Sequence, residues 1–201
     1  LGHSIFHGQS ERNQTFIRGD YQLDNSNNFS FVFLNSVAKY QIPTLPGQTP
    51  NANVTGLLPG GFSAVPSERV DENQKENNQY GHMVWRHDVN SNNFFSLSGY
   101  VRQTRATFRT DPFNVLAYTP DETEPFSAAN QDRNAYSGGI RFDHTYIPNK
   151  EHVIKAGFQV DRTQTWNKTR LFTFQDAGGL PIGNVLGLDA DNRLIGYRQE
   201  F

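Results

Sequence analysis

Three short stretches of the sequence place an arginine and an aspartate two residues apart: "IRGDY" (17–21), "WRHDV" (85–89) and "IRFDH" (140–144). Two residues is the side-chain period of a β-strand, so on strands Arg18 and Asp20, Arg86 and Asp88, and Arg141 and Asp143 would each share one face. Such pairs suit a polar wall, where they ladder neighbouring strands or contact a polar partner. They do not mark out carboxylates for acid–base work. No Ser/His/Asp order or G-x-S-x-G elbow occurs, and an enzymatic activity is not expected.

Other ligating residues form no site by spacing. His3 and His7 are four apart, but no helix pattern or nearby carboxylate completes a set. His82, His87 and His144 are scattered along strand-like stretches. Asp189 and Asp191 in "GLDADNRL" lack the twelve-residue calcium pattern. "LLPGGF" (57–62) lacks the Lys-Ser/Thr of a phosphate loop. There is no cysteine, so neither a disulfide framework nor a thiolate zinc site is available. No metal or cofactor is expected. Sequons at Asn13, Asn28, Asn53 and Asn167 would matter only in a secreted glycoprotein.

The elements that must carry the Arg-x-Asp pairs read as three hairpins. Their bounds are residues 14–42 across "DNSNN", 79–108 across "NSNN" and 135–166 across "PNKE". The turns are short and built from residues that hydrogen-bond their own main chain. The connections between hairpins, residues 43–78, 109–134 and 167–194, are long and polar, and "DENQKENN" (71–78) reads as a solvated loop. Each Arg-x-Asp strand runs into a short turn, so one hairpin recurs while the long loops vary.

Facing follows from the alternation. Ile140 and Phe142 fall together, opposite Arg141 and Asp143; Ile154, Phe158 and Val160 fall opposite Lys155, Gln159 and Asp161. Phe95, Leu97 and Val101 oppose Ser96, Ser98, Tyr100 and Arg102. In "FSFVFL" (29–34) both faces are apolar, so the facing of that strand stays open.

The net charge of −2 suggests no nucleic-acid partner. The mean hydropathy of −0.67, with no apolar run near the ~18 residues of a spanning helix, excludes a helical membrane protein and leaves a membrane barrel possible. The opening "LGHSIFHGQS" has no signal-peptide pattern, which fits a stretch from inside a longer precursor.

Long alternating strands, short turns at one end and long loops at the other form the pattern of an outer-membrane barrel. Lipid satisfies no backbone group, so such a sheet must close, with an apolar outer face and a lumen that can be wet and charged. Tyr21, Trp85, Tyr146 and Trp166 lie where aromatic girdles belong. The expectation is an all-β antiparallel meander of about six long strands over residues 1–201, part of a large transmembrane barrel. Arg18, Asp20, Arg86, Asp88, Arg141 and Asp143 would then line the lumen. Phe95, Leu97, Val101, Ile140, Phe142, Ile154, Phe158 and Val160 would face lipid. A secreted or surface β-sandwich binding carbohydrate or protein, and a passive porin, remain open alternatives. In the sandwich, Ile140, Phe142, Phe158 and Val160 would pack into a closed core.

"YSGGIRFDHTYIPNKEHVIKAGFQVDRTQT" (136–165), "FFSLSGYVRQTRATFRTDP" (94–112) and "IGYRQEF" (195–201) together resemble the barrel of TonB-dependent outer-membrane receptors. The resemblance implies an interior slice of a 22-stranded barrel, with "IGYRQEF" starting the next strand. It implies a bacterial outer-membrane location and energy-coupled uptake of a scarce solute of the iron-chelate, cobalamin or oligosaccharide class. The implied partners are outer-membrane lipid, a plug domain elsewhere in the parent chain, and an inner-membrane TonB protein reached through an N-terminal region. The identity of the ligand does not follow from the resemblance, and its capture would fall to the long loops.

Overall fold

The structure, a computed structural model, describes residues 8–56, 63–119, 128–173 and 195–200. Seven strands lie side by side in chain order: β1 (Ser10–Gln22), β2 (Asn27–Ile42), β3 (Glu72–Asn90), β4 (Asn93–Arg109), β5 (Ala128–Asn149), β6 (His152–Thr173) and β7 (Ile195–Glu200). Every neighbouring pair is antiparallel. The all-β meander expected from the alternation is what the chain forms. The short β7 pairs with Lys168–Thr173, at the long-loop end of β6.

One device closes all three short turns. Asp24 Oδ1 accepts from the main-chain N–H of Ser26 and of Asn27, both at 2.8 Å. Asn90 Oδ1 accepts from Asn92 N–H at 2.9 Å, and Asn149 Oδ1 from Glu151 and His152 N–H at 3.0 Å. A short Asp or Asn side chain thus stands in for a backbone turn, setting the strands that follow in register.

The strands run further toward the long-loop end than alternation indicates. β3 begins at Glu72 rather than Gln79, β5 at Ala128 rather than Ala135, and β6 continues to Thr173 rather than Trp166. "DENQKENN" is therefore not a loop: from Glu72 on, it is strand, paired with both β2 and β4. Amides and charges occupy both faces of most of these extensions, and the apolar Leu171 and Phe172 at the end of β6 are consecutive, so period two leaves no hydropathy signal there, and strand pairing holds the backbone extended. The connections shrink to residues 43–71 and 110–127; most of the third, 167–194, lies outside the described residues, as do His3, His7, Asp189, Asp191 and residues 57–62.

Two of the long connections fold together. In the second, Asp111 caps α2 (Pro112–Ala117): its carboxylate accepts from Asn114 N–H at 3.4 Å, and Pro112 occupies the first turn, where no N–H is needed. Leu116 and Ala117 are fully buried against Val54 of α1 (Ala52–Thr55) and against Ala128. Main-chain and side-chain bonds tie the two connections: Asn51 N–H to Ala117 O at 2.7 Å, Val65 N–H to Asn114 Oδ1 at 3.0 Å, and the Tyr118 hydroxyl to Val65 O. Burial pushes the Tyr118 phenol above its usual pKa, with the Glu68 carboxylate adding to the shift.

Among the described residues no second sheet covers either face of β1–β7. Val101 is 67 % exposed, Val160 61 %, Phe158 56 % and Ile140 53 %. The closed core that a sandwich would build on Ile140, Phe158 and Val160 is absent from these residues.

Candidate functional site

Because the register is unbroken between the turns and the long-loop ends, the face of every strand residue can be read by following partners across the sheet. Arg18 lies opposite Val32, then His82, Tyr100, Gly139 and Asp161. Asp20 leads to Ser30, Val84, Ser98, Arg141 and Gln159. Arg86 leads through Ser96 to Asp143. The three Arg-x-Asp pairs thus occupy one face of one sheet.

Each pair closes on itself. Arg18 Nε lies 3.0 Å from Asp20 Oδ2, Arg86 Nη2 2.9 Å from Asp88 Oδ1, and Arg141 Nε 2.7 Å from Asp143 Oδ2. The expected charge ladder between neighbouring strands is replaced by forks within strands. The reason is register: the cross-strand neighbours of these charges are uncharged, Ser30 and Val32 beside the first pair, Asn28, Phe94 and Ser96 beside the second, and Ser96, Ser98, Gly157 and Gln159 beside the third. Ser30 does add a hydroxyl, donating to Asp20 Oδ1 at 2.7 Å. Toward the long-loop end this face turns aromatic and basic. The rings of Tyr80 and Tyr100 sit 6.2 Å apart, Tyr80 stacks on His82, and Arg102 lies beside Tyr80 in register. The alternation placed Tyr100 and Arg102 on this face, but the grouping with Tyr80 and His82 depends on register.

The opposite face collects the apolar residues. Phe95, Leu97, Val101, Ile140, Phe142, Ile154, Phe158 and Val160 all fall on it. Phe29, Phe31 and Phe33, whose facing alternation left open, join them by pairing with Trp85, Met83 and Gly81. A chain of rings crosses five strands: Phe29–Trp85 at 6.4 Å, Trp85–Phe95 at 5.4 Å, Phe95–Phe142 at 5.9 Å and Phe142–Phe158 at 5.8 Å between centroids. Tyr21 and Tyr146 share this face near the short turns, while Tyr136 and Trp166 meet edge-on at 5.4 Å near its other border. Beyond that border the face becomes amide and charge. There Asn77 and Asn134, either side of Arg105, each keep a buried carboxamide oxygen with no partner among the described residues.

Among the described residues no group of three His, Asp or Glu side chains could hold a metal ion. His87 Nδ1 and Trp85 Nε1 meet the Asn27 carboxamide oxygen at 2.8 and 3.0 Å, and His144 Nε2 meets Asn93 Oδ1 at 2.7 Å, so these rings serve the ends of strands.

Fold and faces together define a class: a single antiparallel layer, apolar on one side and polar on the other, with short turns at one end and folded connections at the other. No protein-family model matches the chain, and no curated protein or solved structure matches it.

Proposed function

We propose that the chain is a section of the wall of a large β-barrel in the bacterial outer membrane, of the TonB-dependent receptor kind, serving energy-coupled uptake of a scarce solute. The observation that carries this reading is the uncovered apolar face, continuous in register across β1–β6. Each large apolar side chain left in water forgoes about 1.5–3 kcal/mol of burial, so a soluble sheet of this kind would aggregate or acquire a cover. Lipid removes the difficulty. On β5 this face runs eleven residues from Tyr136 to Tyr146, about 36 Å along the strand, which at the ~45° tilt of barrel strands spans about 25 Å, the height of the apolar band of outer-membrane barrels.

The rest of the geometry supports the same reading. Among the described residues the outer edges of β1 and β7 are unpaired, and lipid tolerates no open edge, so in this reading further strands complete the wall. The Arg-x-Asp face then lines the lumen and meets water or a plug domain, while the packed connections lie on the outside of the cell, where ligand capture falls. An inner-membrane TonB protein supplies the energy through the parent chain.

Single spin labels on the full-length protein in bilayers test this reading. Labels at Leu97 and Phe158 should collide with oxygen, and labels at Ser98 and Gln159 with a water-soluble nickel chelate. Collision with the water-soluble chelate at all four positions, or shielding of Leu97 and Phe158 from both oxygen and the chelate, would overturn the barrel. Steady conductance in planar bilayers would point instead to a passive porin.

A further inference from the structure

The apolar face does not grade evenly into the polar zone above it. It is notched where Gly81 and Gly138 flank Val101 in register, and the missing side chains open a groove of about 650 Å³. Phe33, Val101 and Tyr136 form its apolar walls, the amides of Gln79, Gln103 and Gln164 border it on the polar side, and Arg162, opposite Gly138, stands at its edge. Arg162 is exposed and makes no hydrogen bond or ion pair with any described residue, an unusual position for a cation bordering an apolar band. Its long stem lets the charge rise toward the polar side while the methylenes stay on apolar surface.

The charge above the groove is predominantly positive. From Arg162 to the long-loop end, this face of β1–β6 carries seven basic side chains, including Lys75, Arg105, Arg109 and Lys168, against the two acids Glu11 and Asp132. Asp132 is already shared by Arg105 at 3.9 Å and Arg109 at 3.0 Å, and Glu11 by Lys39 at 3.7 Å. The chain as a whole is at −2, so this belt runs against its overall charge.

From an apolar groove leading into unbalanced positive charge we infer a binding site for an anionic phosphorylated lipid. One acyl chain lies over Gly81 and Gly138, and the phosphate sits between Arg162 and Arg105. The inference rests on the barrel reading, which puts this face against the bilayer. Basic clusters at headgroup depth gain about 1 kcal/mol per Lys or Arg from anionic lipid, which sets the scale of the effect.

Native mass spectrometry of the full-length protein in neutral detergent tests the inference, using phosphatidylglycerol and phosphatidylcholine with the same acyl chains and inorganic phosphate as a competitor. The protein should retain phosphatidylglycerol over phosphatidylcholine. Arg162→Gln should weaken phosphatidylglycerol retention about five-fold. Gly81→Leu should weaken retention of both lipids by filling the groove floor. A Cβ at Gly81 meets only Val101 Cγ2, at an ordinary 3.6 Å, so the strand backbone admits a side chain there, and the rest of the leucine enters the groove itself. Equal retention of the two lipids, an Arg162→Gln variant that binds as the wild type does, or displacement by millimolar phosphate would each overturn the lipid site. If the spin labels at Leu97 and Phe158 report lipid while these outcomes occur, only this inference falls; if they report water, the barrel reading falls with it.

Discussion

The phenol of Tyr100 donates to Asp161 Oδ1 at 2.7 Å across an intervening strand, and Gly139 is the residue that lies between them. The ring crosses β5 where no side chain stands in its way, so β4 and β6 are tied directly over β5. A Cβ on Gly139 would collide with the Asp161 carboxylate and come within 2.8 Å of both Tyr100 Cε1 and the main-chain oxygen of Val160. Gly139→Ala should lower the thermal unfolding midpoint, at a cost of roughly 1–3 kcal/mol, as overpacking does. Asp161→Ala added to it should restore only part of the loss, because the Val160 carbonyl stays in place. An unchanged midpoint in the single variant would mean that the strands part freely there.

The packed connections make a separate prediction. Leu116 is fully buried in a small core whose other buried members among the described residues are Val54, Ala117 and Ala128. Leu116→Ala should cost about 2–5 kcal/mol of local stability. Because this core meets the β5–β6 pairing at its long-loop end, through Ala128 and Phe172, and not at the 140–160 hairpin, the loss should show as faster protease cleavage within residues 43–71 and 110–127. Amide exchange in the 140–160 hairpin should stay as it was. Equal loosening of both regions would mean that the connections and the sheet unfold as one unit.

Much of this architecture is legible in the sequence for one reason: period two exposes which residues share a face. Spacing alone places Arg141 with Asp143 and Ile140 with Phe142. It could not place Phe31 against Val32, because both faces of that strand are apolar; only pairing of Phe31 with Met83 and of Val32 with His82 separates them. Nor could it find the ends of β3 and β5, where amides and charges occupy both faces. "DPFNVLA" (111–117) did carry a usable signal, an Asp cap followed by Pro and then apolar residues at helical spacing. The Tyr100–Gly139–Asp161 contact spans three strands and is visible only once register is known.

The first turn should respond to acid in a defined direction. The Asn27 side-chain amide, then the Ser26 main-chain N–H, donate to Asp24 and hold its carboxyl below the usual carboxylate range. A depressed folded value means that the turn's stabilisation is complete above the unfolded Asp value of ~4. It is lost as pH falls through the lower, folded value. Carboxyl NMR titration should place Asp24 below a free Asp, with Ser26 amide exchange accelerating over the same interval. Asp24→Asn keeps an acceptor and removes the charge, so its turn should not respond to acid in that range. Titration of Asp24 at the free value would contradict the assignment.

Adjacent residues of β3 provide the sharpest separation of lipid from water. Met83 lies between Phe31 and Gly99 on the apolar face, and Val84 between Ser30 and Ser98 on the polar face, at the same depth in the sheet. Neither side chain is covered by a second layer among the described residues, so in water a lysine at either place would be tolerated equally. In a bilayer the two diverge. Met83→Lys would put an ammonium against hydrocarbon and cost about 2–4 kcal/mol near the midplane, whereas Val84→Lys would enter a wet lumen beside two serines at little cost. Urea unfolding of the full-length protein in lipid vesicles should therefore shift strongly for Met83→Lys and barely for Val84→Lys. Equal shifts would place both faces in the same solvent and remove the ground for a membrane wall.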